Sequence, residues 1–303
     1  MTNARWQRWL AVLQWLLIAA WVWGLWQRAP VLALAGLVVV PLLWRLTMLP
    51  QFLIMARASR NDPTPRPTPA QLLRAWRAET RWAGMVFGWW QPFRTHAVPD
   101  WLPPCTPGQL APRGVVLVHG FLCNRAFWTP WFAPLRARGH AFVAVTLEPA
   151  FGSIDDYAAT IDAAVRRVTE ATGQPPLIVG HSMGGLAIRA WLRAMPGGEA
   201  RVQRVVTIGS PHDGSWAAMY AHSIIGQQMR LHSPWVRTLR AQEPLERMAL
   251  FTCWYSNLDN AVYPPITATL EGADNRFIEG LAHVEMAFDA RVVGSCLGLL
   301  ANS

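Results

Sequence analysis

The sequence predicts an α/β protein with a mostly parallel sheet covered by helices, preceded by one or two transmembrane helices. From residue 113 onward, short apolar and β-branched runs alternate with longer amphipathic segments. Such alternation indicates βαβ units, and strands that are apolar on both faces indicate a sheet buried on both sides. Residues 1–60, in contrast, consist largely of two long apolar runs.

The individual elements follow from this pattern. The predicted strands are residues 114–118, 141–147, 176–180, 202–208 and 249–255. The predicted helices are residues 125–138, 154–172, 184–194 and 286–300. Because helices separate the strands, we expect neighbouring strands to be parallel. We therefore assign residues 113–303 to one domain.

The charge of the chain bears on its partners. All 27 basic residues are arginine, and the formal net charge is +9. So complete a bias indicates genome composition, and the arginines are scattered rather than clustered among aromatic residues on one face. This argues against nucleic acid as a partner. An anionic lipid bilayer is the better partner for the N-terminal arginines.

Four cysteines bear on redox state and metal binding: Cys105, Cys123, Cys253 and Cys296. None forms a close pair, and none has the spacing of metal ligands. We interpret them as small buried residues. The sequence predicts neither a metal nor a cofactor.

The first apolar run covers residues 9–27 and is interrupted only by Gln14. A helix needs about 20 such residues to cross the hydrocarbon of a bilayer. Tryptophan near both ends is typical of the membrane interfaces. A cleaved signal peptide is the competing interpretation, but Trp23 and Trp26 make the end of the run a poor cleavage site.

A second apolar run covers residues 30–44 and continues to residue 56. Pro41 and Pro50 would kink it, and Arg45 would have to reach the interface or be buried. We predict a second span, so that residues 1–60 form a two-helix membrane hairpin. A re-entrant segment and an interfacial helix are the alternatives.

Arginines near the spans predict the orientation of the hairpin. Two precede the first run, one lies in the turn, and three follow the second run: Arg5, Arg8, Arg28, Arg57, Arg60 and Arg66. The positive-inside rule then places both flanks, and the catalytic domain, in the cytoplasm. The predicted location is the bacterial inner membrane. If only the first run spans, the domain lies on the opposite side.

Residues 61–112 are predicted to connect the hairpin to the domain. Residues 61–70 form a proline-rich, extended linker. Residues 71–90 form an amphipathic helix, which either lies on the membrane surface or packs on the domain.

The strongest motif is Gly180-His181-Ser182-Met183-Gly184, which follows a predicted strand and begins a predicted helix. This is the context of a G-x-S-x-G nucleophile elbow. Side chains at Gly180 and Gly184 would clash in so sharp a turn, and the turn lifts the serine hydroxyl clear of the sheet. Ser182 is therefore the predicted nucleophile.

His119-Gly120-Phe121 directly follows the first predicted strand of the domain. The loop after that strand supplies the second oxyanion donor beside a nucleophile elbow. We predict that the backbone N–H groups of Phe121 and Met183 stabilise the oxyanion, with Gly120 allowing close approach. His119 is predicted to be structural.

The general base and its acid should follow Ser182 in the chain. Four histidines do so: His212, His222, His232 and His283. His283 is the last and lies in a loop-like stretch before a helix, so it is the predicted base. Asp259 follows a late strand and is the predicted acid, with Asp274 second and Asp213 a distant third.

Several blocks of the sequence resemble the bacterial triacylglycerol lipases and related esterases of the α/β-hydrolase superfamily. They are residues 115–121, 180–185, 207–216, 259–264 and 270–286. The resemblance spans about residues 113–300. It implies the α/β-hydrolase fold, a Ser182–His283–Asp259 triad, and Phe121 and Met183 as oxyanion donors. The spanning segments depart from the cleavable leader of secreted lipases.

Residues 213–248 lie between strands and contain many large apolar side chains. They form either a cap over an acyl pocket or ordinary helices packed on the sheet.

The sequence as a whole predicts a membrane-anchored serine hydrolase of carboxylic esters, with a lipid-like acyl group. An acyltransferase that uses the same triad and a catalytically inactive membrane scaffold are the alternatives.

Overall fold

The computed structural model describes residues 2–104 and 111–301. Its sheet is fully parallel, with strand order β2-β1-β3-β4-β5-β6. The strands are β1 Val115–Val118, β2 Phe142–Ala144, β3 Leu177–His181, β4 Arg204–Ile208, β5 Phe251–Tyr255 and β6 Asp274–Phe277. The predicted α/β class with a parallel sheet is confirmed.

Strand β6 was not predicted from the sequence. It reads Asp-Asn-Arg-Phe, and its residues alternate between half-buried and exposed. Because β6 is the edge strand beside β5, it lacks the apolar run that identifies a strand buried on both faces. Its pairing with β5 is a property of the folded sheet.

The α-helices cover both faces of the sheet and extend beyond it at the N-terminus. They are α1 Asn3–Trp26, α2 Pro30–Thr47, α3 Leu49–Ala58, α4 Pro69–Met85, α5 Gln91–Phe93, α6 Thr129–Ala137, α7 Ala158–Thr172, α8 Met183–Ala194, α9 Ile224–Gln228, α10 Pro234–Ala241, α11 Leu245–Met248, α12 His283–Met286 and α13 Ala290–Ala301. α7 and α8 pack in one core cluster, and α6, α12 and α13 pack in another on the opposite face.

Residues 286–300 do not form the single helix that was predicted. Helix α12 ends at Met286, and α13 begins at Ala290. The carboxylate of Asp289 accepts a hydrogen bond from the backbone N–H of Arg291, at 2.9 Å. An aspartate in this position caps a new helix N-terminus, which explains the interruption.

Two N-terminal helical segments are long and apolar enough to be transmembrane. They are Asn3–Trp26 and Pro30–Ala58, of 24 and 29 residues, and only 6% and 11% of their most apolar windows are buried in the protein. Length and composition alone would also suit a signal sequence. The helices pack against each other, and the Trp21 indole N–H donates to the carbonyl of Leu32.

Helix α4 packs on the body of the domain, which is one of the two alternatives predicted for residues 71–90. Its residues Ala75, Glu79 and Ala83 are buried. The Trp82 ring lies 4.7 Å from the Phe288 ring, centroid to centroid. The domain boundaries at residues 60 and 112 stay predictions.

The described cysteines, Cys123, Cys253 and Cys296, are buried and free. Burial raises the pKa of each of these thiols to about 12, so that they stay protonated. This agrees with their interpretation as small buried residues. Cys105 lies outside the described residues.

Candidate active site

Ser182 occupies a sharp turn between strand β3 and helix α8, with φ 56° and ψ −130°. A positive φ is strained for a non-glycine residue and is retained only where the surroundings impose it. The Ser182 N–H donates to the Ile208 carbonyl at 2.9 Å, which ties the turn to strand β4. The strand–turn–helix context predicted for the motif is therefore present.

The flanking glycines are required by contacts with the backbone. A Cβ atom on Gly184 would lie 2.5 Å from the Val118 carbonyl oxygen, and one on Gly180 would lie 2.9 Å from the Gly185 nitrogen. Neither backbone atom can move without displacing β1 or α8. Any side chain at these positions would therefore push the turn at Ser182 away from the sheet.

The loop after β1 approaches the same turn. A Cβ atom on Gly120 would lie 2.7 Å from the Ser182 Cβ atom, so this position also requires glycine. Among the hydrogen bonds of the described residues, neither the Phe121 N–H nor the Met183 N–H has an acceptor. Both are available to a ligand.

His119 holds this loop in place. Its Nε2 atom accepts a hydrogen bond from the Leu147 N–H at 3.0 Å, and its Nδ1–H donates to the Gly120 carbonyl at 2.8 Å. Burial lowers the pKa of His119 to about 4, which keeps the ring neutral. These bonds are those of a structural residue, as predicted.

His283 and Asp259 form a buried pair. The His283 Nδ1–H donates to Asp259 Oδ2 at 2.9 Å, while Asp259 Oδ1 accepts from the N–H groups of Ala261 and Val262 at 2.9 and 2.8 Å. Burial alone would lower the pKa of His283. The charge of Asp259, the hydrogen bond to it and the charge of Glu79 raise this pKa above its ordinary value.

The His283–Asp259 pair lies beside the turn at Ser182. The rings of His181 and His283 are 4.5 Å apart, centroid to centroid, and His181 directly precedes Ser182. The hydrogen bond from Ser182 N–H to the Ile208 carbonyl also places Gly209, the residue after Ile208, beside this turn. A Cβ atom on Gly209 would lie 3.2 Å from His283 Nδ1.

The other candidate acids have different partners. Asp274 begins strand β6 and binds Arg276, at the end of the sheet opposite to the carboxyl ends of the strands. Asp213 lies 2.8 Å from His232, and both are partly exposed. This pair lines a separate cavity of about 390 Å³. Of the three candidate acids, Asp259 is the one hydrogen-bonded to His283.

The remaining candidate bases stand apart from this arrangement. His212 is buried and hydrogen-bonded to Thr207 Oγ1 at 2.9 Å, and burial lowers its pKa well below the ordinary value. His222 accepts a hydrogen bond from Gln227 at its backbone carbonyl.

Among residues 2–104 and 111–301, no group of three or more His, Cys, Asp or Glu could hold a metal ion.

Sequence reasoning missed Gly209 and Glu79. Gly209 has φ +55°, and a Cβ atom there would lie 2.7 Å from Asp259 Oδ2. The position of Gly209 directly after strand β4 is the sequence feature that could have identified it. Glu79 lies in helix α4, is 2% exposed, and contacts the chain next to His283. No local pattern distinguishes Glu79, because its contact joins residues 205 positions apart.

Residues 213–248 are anchored to helix α8 by a buried ion pair. Arg189 of α8 is fully buried and makes a bidentate contact with Glu243, at 2.9 Å from Nε to Oε1. Within the same segment, residues 219–224 instead expose three large side chains, those of Met219, Tyr220 and Ile224. Packed helices thus account for the anchored part, and a cap role stays a prediction.

A parallel sheet with a serine on a strained strand-to-helix turn, next to a buried His–Asp pair, defines an α/β-hydrolase. The profile of the alpha/beta hydrolase family matches residues 115–294, more than half of the chain. The chain belongs to this family.

Two solved structures of one lipase share this fold. The mature form of the lipase BlEst2 from Bacillus licheniformis is 19% identical, with a TM-score of 0.55 over 65% of this chain and 95% of that one. Its propeptide form is 19% identical, with a TM-score of 0.51 over 61% and 49%. A monoacylglycerol lipase from Paleococcus ferrophilus is 15% identical, with a TM-score of 0.46 over 62% and 94%. No curated protein sequence matches the chain significantly.

Proposed function

We propose that this protein is a membrane-anchored serine hydrolase that cleaves carboxylic esters with a lipid-like acyl group. The observation that carries the proposal is the strained turn at Ser182 beside the His283–Asp259 hydrogen bond of 2.9 Å. A hydroxyl held next to an oriented imidazole is the arrangement that activates a serine nucleophile. The lipase BlEst2, whose mature structure shares this fold, supports the choice of ester substrates.

In the proposed mechanism, Ser182 Oγ attacks the ester carbonyl while His283 Nε2 accepts its proton. Asp259 stabilises the imidazolium and keeps Nδ1 protonated. The N–H groups of Phe121 and Met183 stabilise the oxyanion, and the alcohol leaves with the proton from His283. Water then attacks the acyl-enzyme by the same route. Labelling of the full chain by a fluorophosphonate, together with hydrolysis of an ester series of increasing acyl length, tests this function.

The two apolar helices are proposed to anchor the protein as a hairpin with the catalytic domain in the cytoplasm. We expect the full chain to stay in the membrane pellet through high-salt and alkaline washing. Salt screens arginine–lipid contacts, whereas it does not weaken hydrocarbon burial. A peripheral membrane protein in the same preparation should be released and serves as the control.

Reporters fused to the C-terminus of the full chain test the orientation of the anchor. With two spans, a fluorescent protein that matures only in the cytoplasm should be bright, and a phosphatase active only outside it should be silent. The reverse pattern would mean that one run spans, and would place the active site on the opposite face.

A further inference from the structure

The first helix of the hairpin is attached to the oxyanion side of the active site. The Asn3 side-chain amide donates to the Cys123 carbonyl at 3.0 Å, and the Gln7 amide donates to the Leu122 carbonyl at 2.7 Å. Leu122 directly follows Phe121 in the chain. The first turns of α1 therefore hold the loop that carries a proposed oxyanion donor.

The last helix of the hairpin is attached to the opposite side. Phe52 and Met55 of α3 are buried in a cluster that includes Leu258, Tyr263 and Ala282. These are loop residues near the acid and base, since Leu258 precedes Asp259 and Ala282 precedes His283. The Asn260 side-chain amide also donates to Gln51 Oε1 at 3.1 Å. The two ends of the hairpin thus lie on both sides of Ser182.

Exposed large side chains next to the two ends of the hairpin form a rim around the site, and they are Leu122, Phe151 and Tyr220. Leu122 and Phe151 are 38% and 56% exposed on the oxyanion side, where the Phe151 and Phe121 rings are 5.8 Å apart. On the other side, Tyr220 is 79% exposed and contacts Trp216, which packs with the α3 cluster. Apolar surface continuous with a membrane segment indicates a surface that meets lipid.

We propose that the active site opens onto the bilayer between the two ends of the hairpin, and that its substrate is an ester whose apolar tail stays in that bilayer. This inference rests on the function proposed above. Each methylene moved from hydrocarbon to water reduces the accessible concentration of a lipid roughly fourfold. A site that meets the bilayer avoids this loss, because the ester reaches Ser182 without leaving the membrane.

Vesicles test this route of entry. The full chain is reconstituted in phosphatidylcholine–phosphatidylglycerol vesicles, with a fluorogenic long-chain ester placed either in the same vesicles or in separate ones. Because the tail stays in its bilayer, we expect hydrolysis in the same vesicles to be at least about tenfold faster. A soluble short-chain ester should be hydrolysed equally in both arrangements. Equal rates for the long-chain ester would overturn the proposed entry route.

A pair of variants tests the rim itself. Tyr220→Ser should lower hydrolysis of the vesicle-bound ester several-fold and leave the soluble ester unchanged. Leu245→Ser is the control, because Leu245 is also exposed but precedes β5, at the other end of the sheet. Equal effects of both variants would contradict the inference. Absence of soluble-ester hydrolysis and of fluorophosphonate labelling would instead overturn the proposed function.

Glu79 carries a second, independent inference. Its Oε2 atom accepts hydrogen bonds from the N–H groups of Val284 and Glu285, at 3.0 and 3.2 Å. These are the two residues that follow His283. Helix α4 precedes the family match at residues 115–294, so this contact comes from a part of the chain outside it.

We infer that Glu79 is a positioning residue for His283: its carboxylate holds the backbone that follows the imidazole and places a second negative charge near it. The charged groups near the Glu79 carboxylate are His283 and Asp259. The neighbouring Glu285 of α12 is paired with Arg74 of α4. Burial raises the pKa of Glu79 to about 7, against the lowering effect of His283 and of the two backbone bonds. The ionised form of Glu79 is therefore favoured when the His283 imidazole carries its second proton.

Glu79→Gln tests the charge while retaining the shape and one acceptor. Because the negative charge raises the pKa of His283, its removal should move the acid limb of the kcat/KM profile to lower pH. We expect kcat for a soluble ester to fall about tenfold with KM unchanged. Glu199→Gln is the control, because the Glu199 carboxylate binds Arg247 before the amino end of β4, far from His283, and it should leave the limb in place.

The pKa of His283 can also be followed by NMR in a Ser182→Ala background, which needs no turnover. A lower pKa in Ser182→Ala/Glu79→Gln than in Ser182→Ala alone would support the inference even if the ester substrate were wrong. If the pKa of His283 were unchanged and only the melting temperature fell, Glu79 would be a structural residue and not a positioning residue.

Discussion

Replacing Ser182 by alanine is expected to abolish ester hydrolysis and fluorophosphonate labelling while the protein remains folded. The hydroxyl is the only group lost, and the turn is set by its neighbours: Gly184 lies against the Val118 carbonyl, and the Ser182 N–H binds Ile208. Loss of the nucleophile of a triad lowers the rate on the order of 10⁴-fold or more. Probe labelling and turnover of a short-chain ester measure the effect directly.

Ser295→Ala provides the control, since Ser295 lies in helix α13 and binds Arg276. It should label and turn over like the unmodified protein. Equal labelling of the unmodified protein and of Ser182→Ala would show that another residue reacts with the probe, and the assignment of the nucleophile would be wrong.

Changes at His283 and Asp259 are expected to have the next largest effects. His283→Ala removes the base and should be nearly as severe as Ser182→Ala. Asp259→Asn should be milder, with a loss of roughly 10³- to 10⁴-fold. The N–H groups of Ala261 and Val262 keep the asparagine oxygen at the Oδ1 position, so its amide would replace Oδ2, which accepts from His283 Nδ1–H, and would favour the wrong tautomer.

Asp274→Asn is the matched control for the acid. Its carboxylate binds Arg276 at the sheet edge, so the substitution should change turnover little. If Asp274→Asn were the damaging change and Asp259→Asn were harmless, the assignment of Asp259 would be wrong. Melting temperatures of all three variants separate loss of catalysis from loss of fold.

The alternation of strands and helices could be predicted from the sequence because it depends on local patterns. Residues 177–179 of strand β3 form an apolar run whose side chains are all buried, and this burial is what such a run predicts. The turn at Ser182 was predictable for the same reason, since its two flanking glycines lie within five residues of the chain. Strand β6 was missed because its stability comes from pairing with β5 at the edge of the sheet.

The local sequence around Asp259 and Asp274 does not determine which of them is the acid. Asp259 and Asp274 both lie in late loop-like segments of the sequence. Their position along the sheet distinguishes them, since Asp259 follows the carboxyl end of β5 whereas Asp274 pairs with Thr252 near its amino end. Only the register of the strands determines which carboxylate reaches His283.

By itself, the sequence determined the α/β class, the strand-to-helix turn at Ser182 and the two apolar runs, because each depends on residues close together in the chain. The tertiary structure alone decided that helix α4 packs on the domain, that Glu79 contacts the chain after His283, and that both ends of the hairpin adjoin the active-site loops. Asn3 meets Cys123 across 120 residues, and Asn260 meets Gln51 across 209. No periodicity encodes such contacts, which form only when the packed sheet brings these segments together.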